Sequence, residues 1–262
     1  WQGLVELRRF QTTGDRDALE RFRLHVQWIQ QSAKEKNGAA VWFYQFDWQE
    51  GFLARLAKPW VSAMSQGLIM SLLVRASNTL KLPHLLELAR RATVVFQRDV
   101  SDGGVRVDRG RGVTYEEYPA FPLPHILDGF LFGLVGLSDV MRATSDPIVT
   151  KLFQDGVSGL VQDLPLWSYR GRWTWYGAHG YLCSPMYHRL NLVLLRAIAG
   201  VAGSRVLEDF VRHCERMGRK LTVRVEVSLV RAILMTPPIM LLYALVTHIR
   251  LVRKSRRCRV VE

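Results

Sequence analysis

The sequence predicts an all-α protein, built as a toroid or bundle of antiparallel helix pairs. Apolar residues recur at three- and four-residue steps through most of the chain. The helical stretches are separated by two long polar-aromatic excursions and not by the regular strands of a parallel sheet. With 262 residues, 48% apolar and 10% aromatic, the chain can fill the core of one large domain or two small ones.

The elements follow in order. The opening "WQGLVELRRF" has too short an apolar stretch for a signal peptide or anchor, and no small-residue cleavage site follows it. In "DALERFRLHVQWIQQSAKEK", Leu19, Phe22, Val26 and Ile29 fall on one helical face, with Asn37-Gly38 as the expected stop. "AAVWFYQFDW" is aromatic without helical period and is expected as a short extended or loop stretch. "KPWVSAMSQGLIMSLLVRASNTL" resumes the helical pattern to Leu80, with Pro59 pre-setting its first turn, and Pro83 opens the next helix, "LPHLLELARRATVVFQRDV". Ser101 to Pro124 carries glycines, alternating valines and prolines, so an irregular or hairpin-like excursion is expected. "HILDGFLFGLVGLSDVMRAT" and "DPIVTKLFQDGVSGLVQDLP" return to helix, and "LWSYRGRWTWYGAHGYLCSP" is the second excursion. "MYHRLNLVLLRAIAGVAG" and "SRVLEDFVRHCERMGRKL" complete the helical set.

The formal charge of +13 is uneven. Residues 1–204 carry +5 and residues 205–262 carry +8, so the excess is mainly a property of the tail and does not call for nucleic acid as a partner. The tail also holds Ala232 to Ile249, 18 residues without Asp, Glu, Lys or Arg, the lower limit for crossing a hydrocarbon core of roughly 30 Å. Pro237 and Pro238 interrupt it and basic residues flank both ends. It reads as a kinked anchor, as a surface segment held to anionic lipid, or as a final helix pair split at the prolines. The membrane readings are favoured, and the chain divides into residues 1–225 and a tail, 226–262. Cys183, Cys214 and Cys258 lie far apart and form no disulfide framework or zinc ribbon.

Loops as long as the two excursions are usually functional or disordered, and their aromatic content argues against disorder. The first holds Tyr115, Glu116, Glu117 and Tyr118. The second, with the residues just after it, holds Trp173, Trp175, Tyr176, His179, Tyr181, Tyr187 and His188. In a helical-hairpin architecture, successive loops at one end converge on a common mouth. Aromatic faces with a few carboxylates and phenols suit a sugar, whose ring hydrogens stack while its hydroxyls seek hydrogen bonds.

The ordered set "PWVSAMSQGLIMSLLVRA", "GGV", "YEEYP", "ILDGFLFGLVGLSDV", "LP" and "YH" before an apolar helix resembles the C-terminal catalytic domain of the D-glucuronyl C5-epimerases, which act on heparosan and heparan sulfate. The likeness runs from about Trp28 to Ala199. It implies an incomplete (α/α) toroid with two long aromatic loops, preceded in the family by β-rich domains, and a uronic-acid polysaccharide as substrate with no cofactor. By the same resemblance Glu117 and Tyr187 correspond to opposed proton carriers, with Tyr118 and Tyr176 supporting charge and position. Glu116, Asp128, Trp175, His179, His188, Arg189 and Gln66 are carried with them as substrate contacts, although Gln66-Gly67 also suits close helix packing. A homodimer is left open.

The chemistry explains the residue types. Inverting C5 of a uronate means removing a hydrogen α to a carboxylate and returning a proton on the opposite face, so two proton carriers must face one another across the ring. A tyrosine with a free pKa of about 10 is a competent acid, and a glutamate in a dry pocket becomes a stronger base. Two departures stand out. Where the family reads Tyr-Asp-Leu-Arg-His, this chain reads "WYGAHGY", leaving Arg170, Arg172 or Arg189 as substitutes for the missing arginine, and "LDG" puts Asp128 where an amide is expected. His179, Cys183 and His188 are donor types suited to zinc but lack a fourth ligand, so no metal is expected. The rival readings are a polysaccharide lyase, which shares the C5 abstraction, and a non-catalytic glycan-binding or membrane-tethered accessory protein.

Overall fold

The computed structural model describes residues 1–50, 54–110, 112–235 and 246. Among them the chain is mainly α, with nine α-helices and four small antiparallel hairpins. Helix α1 (Gln2–Thr13) packs against α2 (Arg16–Ser32). The Asp15 carboxylate starts α2 by accepting from the backbone N–H groups of Asp17 and Ala18, two of the donors a helix start leaves orphaned. Strands β1 (Lys34–Lys36) and β2 (Ala39–Val41) form a hairpin, as do β3 (Trp48–Glu50) and β4 (Ala54–Leu56). Helices α3 (Ala63–Leu80) and α4 (His84–Ala92) follow. The first excursion is the hairpin β5 (Arg106–Asp108) and β6 (Val113–Tyr115), which leads into α5 (Leu127–Thr144) and α6 (Pro147–Asp163). The second contains β7 (Ser168–Tyr169) and β8 (Trp173–Thr174) and leads into α7 (Pro185–Ala202), α8 (Arg205–Gly218) and α9 (Leu221–Leu234).

The helices pack in two rows. α5 lies between α3 and α7, while α4, α6 and α8 each pack on the helix before them. Since the chain reverses at every turn, α3, α5 and α7 run in the same direction and begin at the same end. This packing brings α3 very close to α5. A Cβ at Gly67 would lie 2.2 Å from the Phe132 carbonyl oxygen, and one at Gly136 would lie 2.5 Å from Gly67 Cα. Around this seam Met70, Leu73, Phe130, Leu131, Leu134 and Leu137 are all but excluded from water, the burial that stabilises the rows.

Several boundaries differ from the sequence reading. "WQGLVELRRF" begins a helix, α1. Asn37-Gly38 does not end a helix: α2 stops at Ser32, and the pair forms the turn of the β1–β2 hairpin with φ of 50° and 80°, both left-handed as a type I′ turn requires. Pro59 lies outside α3, which starts at Ala63. Helix α9 runs through the expected boundary at residue 225. Most of Ala232 to Ile249 and the basic residues after it lie outside the described residues. No described helix is long and apolar enough to cross a membrane.

Because the Gly67 contact is with backbone, relaxation there requires a helix to move. Gly67→Ala should therefore destabilise the fold by about 3 kcal/mol, the upper end of overpacking costs. Urea denaturation checks this.

Candidate active site

The two excursions meet at the starts of α3 and α5. The Ala63 N–H, in the first turn of α3, donates to the Glu116 carbonyl at 3.0 Å, and the Leu127 N–H, in the first turn of α5, donates to the Tyr176 carbonyl at 2.9 Å. In the first turn of α7, the Ser184 hydroxyl accepts from the Tyr187 N–H at 3.2 Å. Helix starts carry partial positive charge from their unpaired N–H groups. Glu117, Tyr176 and Tyr187 are thus held by the starts of three like-directed helices.

The adjacent carboxylates of "YEEYP" go to different tasks. Glu116 is buried, and its oxygens bond to the His125 ring Nδ1 at 2.6 Å, to the His125 N–H at 3.1 Å and to the Thr114 hydroxyl at 3.2 Å. This grip holds His125 at a φ of 45°, a left-handed conformation that costs an ordinary residue about 1 kcal/mol or more. The Trp167 indole N–H donates to the His125 carbonyl at 2.7 Å, tying the turn to the second excursion. Glu117 is also buried, but it lines a cavity of about 100 Å³ with Tyr44, Phe46, Trp48, Trp60, Ser62, Met64 and Tyr118. Its side chain presses on Gly129 so closely that a Cβ there would lie 2.3 Å from Glu117 Cβ and Oε2. Burial pushes the Tyr44 phenol up, and the Glu117 charge adds to the rise against a hydrogen bond with Ser65. Trp48 stacks on Tyr118 with centroids 6.0 Å apart, and Tyr44 lies 4.3 Å from Trp60.

The second excursion builds a neighbouring cluster. The Tyr176 ring packs edge-on against Tyr187 at 5.3 Å and stacks with His179 at 5.8 Å, and His179 lies 4.3 Å from Tyr181. The loop closes where the Tyr176 N–H donates to the Tyr181 carbonyl at 2.7 Å. Asp128 is buried in the first turn of α5. Burial pushes the nearby Cys183 thiol up to about 12, with Thr174 opposing and the Asp128 charge adding.

Other expected contacts serve the fold instead. Gln66 is fully buried, its amide bonded to the Trp42 N–H and to the carbonyls of Ala40 and Ala92, so it ties β2 and α4 to α3 and is removed from the substrate contacts. Glu116 is likewise engaged by His125 and Thr114. His188 is buried and stacks on Trp173 at 3.7 Å. Its Nδ1 accepts from the Thr174 N–H at 3.3 Å, which leaves the proton on Nε2, buried and without a hydrogen-bond partner among the described residues. Trp175 packs edge-on against Tyr169. Of the candidate arginines, Arg170 and Arg172 pair with Glu226 of α9 at 2.9 and 3.2 Å, and Arg189 is exposed on α7. The aromatic wall of Tyr44, Phe46, Trp48 and Trp60 was not foreseen as part of the site. The aromatic stretch "AAVWFYQFDW" supplies Tyr44, Phe46 and Trp48, but with no period that would assign it to the site, and Trp60 lies beyond it.

Residues 35–216 match the family described as D-glucuronyl C5-epimerase C-terminus. The chain belongs to this family. It is 35% identical over 167 residues to a D-glucuronyl C5-epimerase of Caenorhabditis elegans, a match covering 56% of this chain and 27% of that relative. The C5-epimerase match takes in both excursions, all of α3 to α7 and most of α8, and leaves α1, α2 and α9 outside it.

Burial lowers the His188 imidazole to about 4, below the unfolded value of about 6.5. Between those values the unfolded chain binds the extra proton, so this contribution is full above pH 6.5 and is lost as pH falls toward 4. The loss should reach about 3 kcal/mol. His188→Asn, which keeps an acceptor for Thr174, should flatten stability over that window when urea midpoints are measured against pH.

Proposed function

We propose that this chain epimerises uronate residues at C5 within a polysaccharide, converting D-glucuronate to L-iduronate, with Glu117 and Tyr187 as the opposed proton carriers. The observation that carries this reading is the setting of Glu117: a buried carboxylate against the backbone of α5, facing a cavity walled by aromatic rings. A carboxylate enclosed in this way keeps its aim without reorganisation when the sugar arrives.

The step needs no redox change. Glu117 takes the C5 hydrogen as a proton and the electron pair left behind delocalises into the uronate carboxylate. The starts of α3, α5 and α7 supply positive potential for that charge, and the Tyr118 and Tyr176 phenols donate to it. Tyr187 then returns a proton from the other face, giving the inverted centre, and the site resets as the Tyr187 phenolate takes a proton from solvent and the protonated Glu117 gives its proton up to solvent. The roles exchange in the reverse direction. Tyr44, Trp48 and Trp60 offer faces on which neighbouring sugars stack, while Asp128 and His179 orient hydroxyls at the second excursion.

A glucuronate polymer incubated with the protein in deuterated water should gain deuterium at C5, read by NMR, with the chain intact. Glu117→Gln and Tyr187→Phe should each lower exchange at least 10²-fold, the usual worth of a positioned acid or base, with circular dichroism unchanged. New ultraviolet absorbance from unsaturated ends would make the protein a lyase, and polymer binding without exchange would make it a glycan-binding protein.

Gly129→Ala tests the same arrangement without removing an ionisable group. The added methyl overlaps Glu117 and must displace its carboxylate, so exchange should fall about as far as in Glu117→Gln, while polymer affinity, measured by calorimetry, stays within a few-fold.

A further inference from the structure

Helix α9 has two apolar faces. One buries Val223 and Val227 against Tyr169, Trp173 and Leu182 of the second excursion. The other carries Leu221, Val225, Leu229 and Ile233 at four-residue steps, 73%, 50%, 60% and 54% exposed, with Met235 beyond them. Four-residue spacing puts these side chains on one stripe. On a helical projection the outward arc also holds Thr222, Ser228 and Ala232, and no charged residue.

The edges of the stripe are basic. Arg224 and Arg231 flank one side. On the other, Glu226 is covered by Arg170 and Arg172. Arg219 and Lys220 precede the first turn and are exposed. In sequence, the chain continues from Thr236 to Ile249 without a charged residue and then carries Arg250, Arg253, Lys254, Arg256, Arg257 and Arg259 against one acid, Glu262.

We propose that the outer face of α9 is a docking surface for an anionic lipid bilayer, on which the helix lies in the interfacial plane. An apolar strip with cationic borders is the pattern of interfacial helices, which insert apolar side chains between headgroups while Arg and Lys hold anionic lipid. At 14 residues α9 is about 21 Å long, too short to span, and its inner face is already bound to the fold. Charge decides against a second copy of the chain as occupant. Two-fold apposition of the same face would bring both sets of cationic borders together. This surface is independent of the reading of the catalytic site.

The test is flotation of the full chain with vesicles of phosphatidylcholine alone or mixed with phosphatidylserine. The wild type should float with the anionic vesicles and stay behind with the neutral ones. Val225→Ser, Leu229→Ser and Ile233→Ser combined should lower partitioning on the order of tenfold or more, with an unchanged melting temperature because the stripe is exposed. In a Cys258→Ser background, where Cys183 and Cys214 are buried, an environment-sensitive dye on Leu229→Cys should shift its emission to the blue on anionic vesicles. The proposal is overturned if the wild type binds neither vesicle, or if the triple variant floats like the wild type and the dye does not respond. It is equally overturned if the wild type sediments as a dimer without lipid and the triple variant as a monomer.

Discussion

Where α3 meets α5, Gly67 and Gly136 let backbone touch backbone, and a side chain on either would lie within 2.5 Å of the other helix. Such a contact permits little sliding, because the nearest atoms belong to the helices themselves and not to side chains that can rotate away. It fixes how far the start of α3 stands from the start of α5. The Glu116 carbonyl on the Ala63 N–H and the Glu117 side chain on Gly129 both depend on that interval. The segment between β6 and α5 is therefore suspended between two helix starts, with the helix seam as the spacer.

On this frame the neighbouring acids diverge. Glu116 faces His125, which folds back over it with a left-handed backbone, and three hydrogen bonds offset the strain. Glu117, one residue on, meets Gly129 and the aromatic cavity. One carboxylate holds the turn that aims the other. The aiming is done by buried contacts within the chain itself.

The helices were largely legible because their signals are local. α5, α6 and α7 show apolar periodicity, and α6 and α7 also have an Asp or Ser cap followed by proline. Asn37-Gly38 misled because the same pair suits a helix end and a hairpin turn; only the pairing of Lys36 with Ala39 separates them. The groupings within the two excursions were legible in part. Glu117 and Tyr118 share a cavity, and Tyr176, His179 and Tyr187 share a cluster. The wall of Tyr44, Trp48 and Trp60 was not legible, since it comes from a segment more than fifty residues upstream with no periodicity, carried in by packing. Gln66 shows the opposite failure: a polar residue beside a glycine suggests a site, yet its amide completes backbone hydrogen bonds inside the core.

Helix α9 lies outside the family match but is attached to the part of the chain that holds the second cluster. Glu226 accepts from Tyr169 at 3.0 Å as well as from Arg170 and Arg172, and Arg231 donates to the Leu182 carbonyl at 3.2 Å. Exposed ion pairs taken singly contribute little, at most about 1 kcal/mol each, yet these share one carboxylate beside the buried contacts of Val223 and Val227 and act together. They bind α9 to the β7–β8 hairpin from which Tyr176 follows. The guanidinium groups of Arg170 and Arg172 are thereby committed to a carboxylate of the same chain. The positive potential at the meeting of the two excursions comes from the helix starts instead, and that source keeps its charge at any pH at which the fold persists.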